Sequence, residues 1–228
     1  MAAGAAVLLA LVVLIAPARG SNVEPPRRTP LEESNLVVSR FLVASALGDR
    51  QTACALFPAD QPCRLRKRFV GPADFEVGPV TLADPARPAV AVNVAGVEGS
   101  FVLARTRRSF VIVKAGRALA RVLSVGRGQG NPVRRSAQAE ASLVVTRFLL
   151  AAALQDRRTG CAMFPAFFLC QRGQRFEGTA QFNVVGVTLA DPAEPAVFAN
   201  VGGIRGYFVL ARGERAKGSF VIVRAGAD

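Results

Sequence analysis

The strongest constraint on how this chain folds is that it repeats itself. Glu33 to Arg105 aligns without a gap with Glu140 to Arg212, at a constant offset of 107, and 44 of these 73 positions are identical. SRFLVASALGDRQTACALFP returns as TRFLLAAALQDRRTGCAMFP, and VTLADPARPAV returns as VTLADPAEPAV. A repeat this long is a whole small domain rather than one turn of a solenoid. Each copy of about 85 residues is near the size at which a hydrophobic core benefits from covalent staples. The expected organisation is an N-terminal leader over 1–18, a disordered Pro/Arg segment over 19–31, a first repeat over 32–116, a basic Gly-containing linker over 117–137 and a second repeat over 138–226.

The leader reads MAAGAAVLLALVVLIAPARGS, with an apolar run from Val7 to Ile15 followed by Ala16-Pro17-Ala18. That pattern fits a secretory signal cleaved after Ala18. An uncleaved N-terminal anchor is the alternative, although the run is short for a spanning helix. Either way the chain is expected outside the cytoplasm, secreted or held in the cell envelope.

Four cysteines follow, Cys54 and Cys63 in the first copy and Cys161 and Cys170 in the second, with eight residues inside each pair. An even count, an export signal and identical spacing favour one disulfide within each copy. Zinc is the competing reading, but the spacing matches no usual finger or ribbon and the chain has no histidine. No metal and no cofactor is expected.

Within one copy, Glu33 to Leu47 is expected to be a helix that is apolar nearly all round, interrupted by Ser39 and Arg40. Asp49 caps a second, shorter helix that ends at Pro58. The period then changes to that of strands, over Phe75–Ala83, Ala89–Ala95, Ser100–Arg105 and Ser109–Lys114. The fold class is therefore α+β, two tandem copies of a helix-helix unit followed by a four-stranded antiparallel sheet. A helix this apolar wants burial on several sides, and pairing of the two copies as an internal pseudo-dimer would supply it.

RFLVASALGDRQTACALF, a cysteine nine residues on, and the run ending FVLAR…SFVIVKAG together resemble the small exported NTF2-like or cystatin-like α+β rolls of bacteria. The resemblance covers each repeat nearly end to end. It implies a sheet curled around a long helix, often dimeric and sometimes holding a pocket, in enzymes and non-catalytic domains alike. A tryptophan frequent in the last strand of such rolls is replaced here by Phe110 and Phe220. The carboxylate, Tyr and His sets of the enzymatic members have no evident counterparts.

The chemistry available is correspondingly narrow. Without histidine the commonest general base is missing, and no Ser/His/Asp, Cys/His or metal set can be assembled. Polar residues shared by the copies are Arg40/Arg147, Asp49/Asp156, Arg50/Arg157, Thr52/Thr159, Arg68/Arg175, Thr81/Thr188, Asp84/Asp191, Asn93/Asn200 and Arg105/Arg212. Asp49 reads as a helix cap and Asp84-Pro85 as turn chemistry. No catalytic residue is assigned. The rival is an NTF2-like enzyme with a pocket carboxylate or Tyr207, which has Ser100 at the equivalent place.

Charge supplies the functional reading. The net charge is +13, and no acidic residue occurs between Glu98 and Glu140. Arg64, Arg66, Lys67 and Arg68 form one basic run, and Arg117, Arg121, Arg127, Arg134 and Arg135 a second. These nine residues are the candidate anion-binding set, for an anionic wall polymer or lipid headgroups rather than a specific nucleic-acid sequence. A basic composition with no partner behind it is the alternative. Between the cysteines, Asp60-Gln61-Pro62 becomes Phe167-Phe168-Leu169. This triplet is expected to pack against the first copy, or else to meet a protein partner.

Overall fold

The computed structural model describes residues 28–60, 63, 71–107, 109–125, 135–174, 176, 178–213 and 219–227. These fall into two compact units, the second beginning at Arg135. The leader, Arg64, Arg66, Lys67, Arg68, Arg127, Arg134 and Arg175 lie outside the described residues.

The first unit opens with α1, Pro30–Leu47. It starts three residues earlier than the apolar pattern suggests because Thr29 and Glu32 form a reciprocal capping box, with Pro30 at the first helical position. Every residue from Ser34 to Ala46 is buried except Arg40, which is half-buried. Two of the polar side chains buried there bond back to their own helix. Ser34 Oγ donates to the Pro30 carbonyl at 2.6 Å, and Ser39 Oγ to Asn35 Oδ1 at 3.3 Å. Gly48 ends the helix in the left-handed region, at φ 73°. Helix α2, Arg50–Leu56, follows at once with Asp49 as its N-cap.

Four strands complete the sheet as a simple antiparallel meander: β1 (Phe75–Thr81), β2 (Ala89–Val94), β3 (Val97–Arg105) and β4 (Phe110–Ala115). Strand β3 begins at Val97, ahead of the expected Ser100. The reason is a two-residue hairpin at Ala95-Gly96, both at positive φ (51° and 78°), which lets Val94 and Val97 pair directly. Bulges between Val77 and Val80 and between Val102 and Leu103 bend the strands. The buried face carries Phe75, Val77, Val90, Val92, Val94, Phe101, Leu103, Phe110 and Ile112. It packs on α1, where the Phe41 ring meets Phe101 edge-on at 5.5 Å.

After β4 the chain forms a helix, α3 (Arg117–Val125), at the start of what the sequence reads as linker. Leu119 and Leu123 are buried, and the Leu119 side chain lies so close to Gly99 that a Cβ there would stand 2.6 Å from it.

The second unit repeats the plan with α4 (Ala137–Ala153), capped by Ser136, and α5 (Arg157–Met163), capped by Asp156. A short α6 (Phe168–Gln171) occupies the loop between the cysteines. The sheet is β5 (Phe182–Thr188), β6 (Ala196–Val201), β7 (Ile204–Arg212) and β8 (Phe220–Ala227), again in sequential order. Here β8 pairs along β7 as far as Ala227 opposite Gly206.

One substitution in the second core reveals its packing. Ala53 of α2 becomes Gly160 in α5, and a Cβ at Gly160 would sit 2.0 Å from the Phe176 ring. Phe176 is fully buried and touches Phe148 and Phe167, so it has little freedom to withdraw. In an open helix, Gly to Ala would stabilise by about 1 kcal/mol. Overpacking costs about 1–3 kcal/mol, so Gly160→Ala is expected to destabilise. Urea unfolding checks this, and a stabilised variant would contradict the packing described.

Candidate anion-binding surface and the shared polar positions

Of the nine candidate anion-binding residues, the structure describes Arg117 and Arg121 on α3 and Arg135 before α4. Arg117 and Arg121 lie one turn apart on the exposed side of α3, opposite Leu119 and Leu123. An arginine in the first turn opposes the helix dipole by about 0.3–1 kcal/mol. Burying each leucine returns about 1.5–3 kcal/mol, so packing fixes the helix and the arginines ride on it. Arg135 is exposed and belongs to the second unit. On α4, burial lowers the pKa of Arg147 from its ordinary value, and the charge of Arg135 lowers it further.

Both disulfides are present within their own copies, Cys54–Cys63 and Cys161–Cys170, with Cα separations of 5.4 and 5.5 Å. Each closes a loop of about ten residues, worth roughly 2–3 kcal/mol in the chain-entropy picture. Covalent staples of this kind fit an extracytoplasmic compartment. Among the described residues, no helix is long and apolar enough to cross a membrane, and no cluster of three metal-ligating side chains occurs.

Most shared polar residues have local structural work. Asp49 Oδ1 accepts from the Thr52 amide and Asp156 Oδ1 from the Thr159 amide, both at 3.1 Å. Arg50 donates to the Cys63 carbonyl at 3.3 Å and Arg157 to the Cys170 carbonyl at 3.2 Å, tying each short helix to the far end of its disulfide loop. Asp84 accepts from the Ala86 amide and Asp191 from the Ala193 amide, shaping the Asp-Pro turns. Arg105 lies over the Phe110 ring and Arg212 over Phe220, the latter also 3.9 Å from Glu140. Asn93 and Asn200 are half-buried on the sheet face turned away from the long helix. Tyr207 is on that same outer face, opposite Phe198.

Phe167 and Leu169 are buried and Phe168 half-buried. The Phe167 ring touches Phe148, Phe164, Phe168 and Phe176, all of its own unit. Those contacts account for its burial. The divergence between copies that stays on the surface lies elsewhere. Ala91, Glu98 and Ser100 become Phe198, Arg205 and Tyr207, and alternation along the strands is the signal that places all three on one face.

Comparison with protein-family models, curated proteins and solved structures finds no match to the chain.

The caps give a pH-dependent prediction. Hydrogen bonds from the Thr52 and Thr159 side chains and amides hold the Asp49 and Asp156 carboxyls below their ordinary pKa. A lowered folded pKa means stabilisation that is present above the unfolded value of about 3.9 and lost as pH falls through the folded value. Asp49→Ala and Asp156→Ala should each cost about 1 kcal/mol at pH 7. The gap to the parent should narrow in urea titrations at about pH 3 as the carboxylates protonate. An equal gap at both values would mean the charge of the cap is immaterial.

Proposed function

We propose that this is an exported, non-catalytic binding protein of the cell envelope that associates with anionic polymers. The observation that carries the reading is the acid-free stretch from Gly99 to Ala139, with Arg117 and Arg121 side by side on an exposed helix face and Arg135 exposed beyond it. Arginine forks pair well with phosphate and carboxylate. The basic run Arg64–Arg68 completes the set of residues proposed to meet anionic polymers. The structural duties of the shared Asp, Arg and Thr residues support a scaffold rather than an enzyme, since few shared polar groups are left over for chemistry. Two similar α+β units, each with a long helix apolar on nearly all sides, support reading the tandem as NTF2-like or cystatin-like rolls arranged as an internal pseudo-dimer.

The test is retention on heparin or a teichoic-acid-like polymer across a salt series. A variant with Arg117, Arg121, Arg127, Arg134 and Arg135 changed to Gln is compared with the parent. The parent should elute at higher salt, and its affinity should fall more steeply with salt, by up to about 0.9 log units per log unit of salt for each phosphate contact. Because these segments carry no stacking aromatics, little selectivity among polymers is expected. Equal retention of both proteins, or elution insensitive to salt, would leave the charge without a partner.

A further inference from the structure

The long helix of the second unit carries a single charge within its buried length. From Ala141 to Ala153 every residue of α4 is buried except Ser142 and Arg147, which are half-buried. Arg147 makes no hydrogen bond and no ion pair among the described residues. Its neighbour Thr146 bonds back to the Ser142 carbonyl at 2.9 Å. Glu140, two turns back on the same stripe of the helix, lies 3.9 Å from Arg212. A guanidinium stays charged inside a protein, so a half-buried one carries a desolvation cost that a negative partner offsets.

The charge that reaches Arg147 is instead another arginine. Arg135 is exposed one residue before the Ser136 cap, and both its charge and burial act against the charged form of Arg147. About 16 Å of helix separates Ser136 from Arg147. Long side chains lean towards the N-terminus of their helix, which shortens that span from the Arg147 side. A stem packed on the core with its head in water would account for the half-burial alone. It does not account for a like charge within reach.

The first unit shows what the second lacks. There the Glu32 carboxylate accepts from the Thr29 amide at 2.8 Å and from the Thr29 hydroxyl at 3.0 Å. Arg28, the counterpart of Arg135, precedes that capping box directly. In the second unit the position of Glu32 is Ala139, so the first turn of α4 keeps Glu140 where α1 has both Glu32 and Glu33. The copies thus differ by one carboxylate beside an arginine that both retain.

We infer that Arg135 and Arg147 form a seat for one phosphate group on the second unit. A phosphate monoester presents three acceptor oxygens and up to about two negative charges, so two guanidinium forks from separate residues can share it. A carboxylate has one charge and is satisfied by a single fork. The inference deepens the anion-binding reading, and rests on it for Arg135, by giving part of that charge a defined ligand class. Free monoesters and phosphate-bearing polymers share this chemistry.

The experiment is a calorimetric titration of the full disulfide-bonded chain at constant ionic strength, with inorganic phosphate, glycerol phosphate and poly(glycerol phosphate) as probes. One inorganic phosphate should bind per chain rather than two, because the first unit carries Glu32. Arg147→Gln and Arg135→Gln should each weaken binding tenfold or more, as loss of a charge-assisted hydrogen bond does. Arg40→Gln, at the matching place in the first unit, should leave it unchanged. Ala139→Glu restores the first unit's residue. It should weaken phosphate binding as much as Arg147→Gln while raising the melting temperature, because it completes a capping box with Ser136. Tighter binding of the polymer per phosphate than of glycerol phosphate assigns the seat to a polymer, and equal binding assigns it to a free monoester. No binding of inorganic phosphate up to about 10 mM, binding that survives Arg147→Gln, or an Ala139→Glu variant that binds like the parent would overturn the inference. Salt-dependent retention on polymers would then leave the broader anion-binding reading standing. Phosphate bound at this seat with retention insensitive to salt would leave the inference standing without that reading.

Discussion

Each unit is organised by one ring on its long helix. Phe41 meets Phe57 at 5.6 Å and Phe101 at 5.5 Å, and Phe148 meets Phe164 at 5.6 Å and Phe208 at 6.0 Å, all edge-on. A single side chain thereby joins the long helix, the residue that ends the short helix and a central strand. Burying a phenylalanine contributes about 1.5–3 kcal/mol, and edge-to-face pairs add about 0.5–1.5 kcal/mol beyond the area. The disulfide, the Arg50 and Arg157 bonds to the loop and the aspartate caps then fix the short helix against that centre. In the second unit Phe167 and Phe176 extend the cluster, and Gly160 is the space they require.

This arrangement sets a packed interior against exposed faces. Among the polar side chains that both copies share, Asp49, Arg50, Asp84 and Arg105 and their counterparts cap, clamp and shape the frame. What differs between copies is informative in the opposite way. A duplicated domain keeps its frame while its faces drift apart, so a cluster of differences on one face points to a changed environment for that face. The sheet exteriors and the basic α3 region fit that description.

Helix existence, the two cysteine pairs and the strand succession were legible in the sequence, because apolar period and cysteine spacing are local signals. The start of α1 was not read from the apolar residues, since the Thr29–Glu32 capping box sets it upstream of them. Strand β3 extends back to Val97 through Glu98 and Gly99, residues without strand character, because the hairpin at Ala95-Gly96 holds them in register. Helix α3 escaped notice where the copies cease to correspond, one continuing as a helix and the other as the extended β8. Alternation puts Phe198, Arg205 and Tyr207 on one face, but their meeting there depends on the register between β6 and β7, which alternation alone does not fix. The arginines of 64–68 and 127–134 stand out in the sequence by charge alone, and they lie outside the described residues.

The central claim, that one ring organises each unit, is tested most directly by hydrogen exchange on Phe148→Ala. The account predicts a loss of about 3–5 kcal/mol, the usual cost of emptying a buried phenylalanine site. Protection should fall together in α4, α5 and the central strands β6 and β7, because all of them rest on the same contact. Protection in β6 and β7 that matches the parent, with loss confined to the ends of α4, would contradict it.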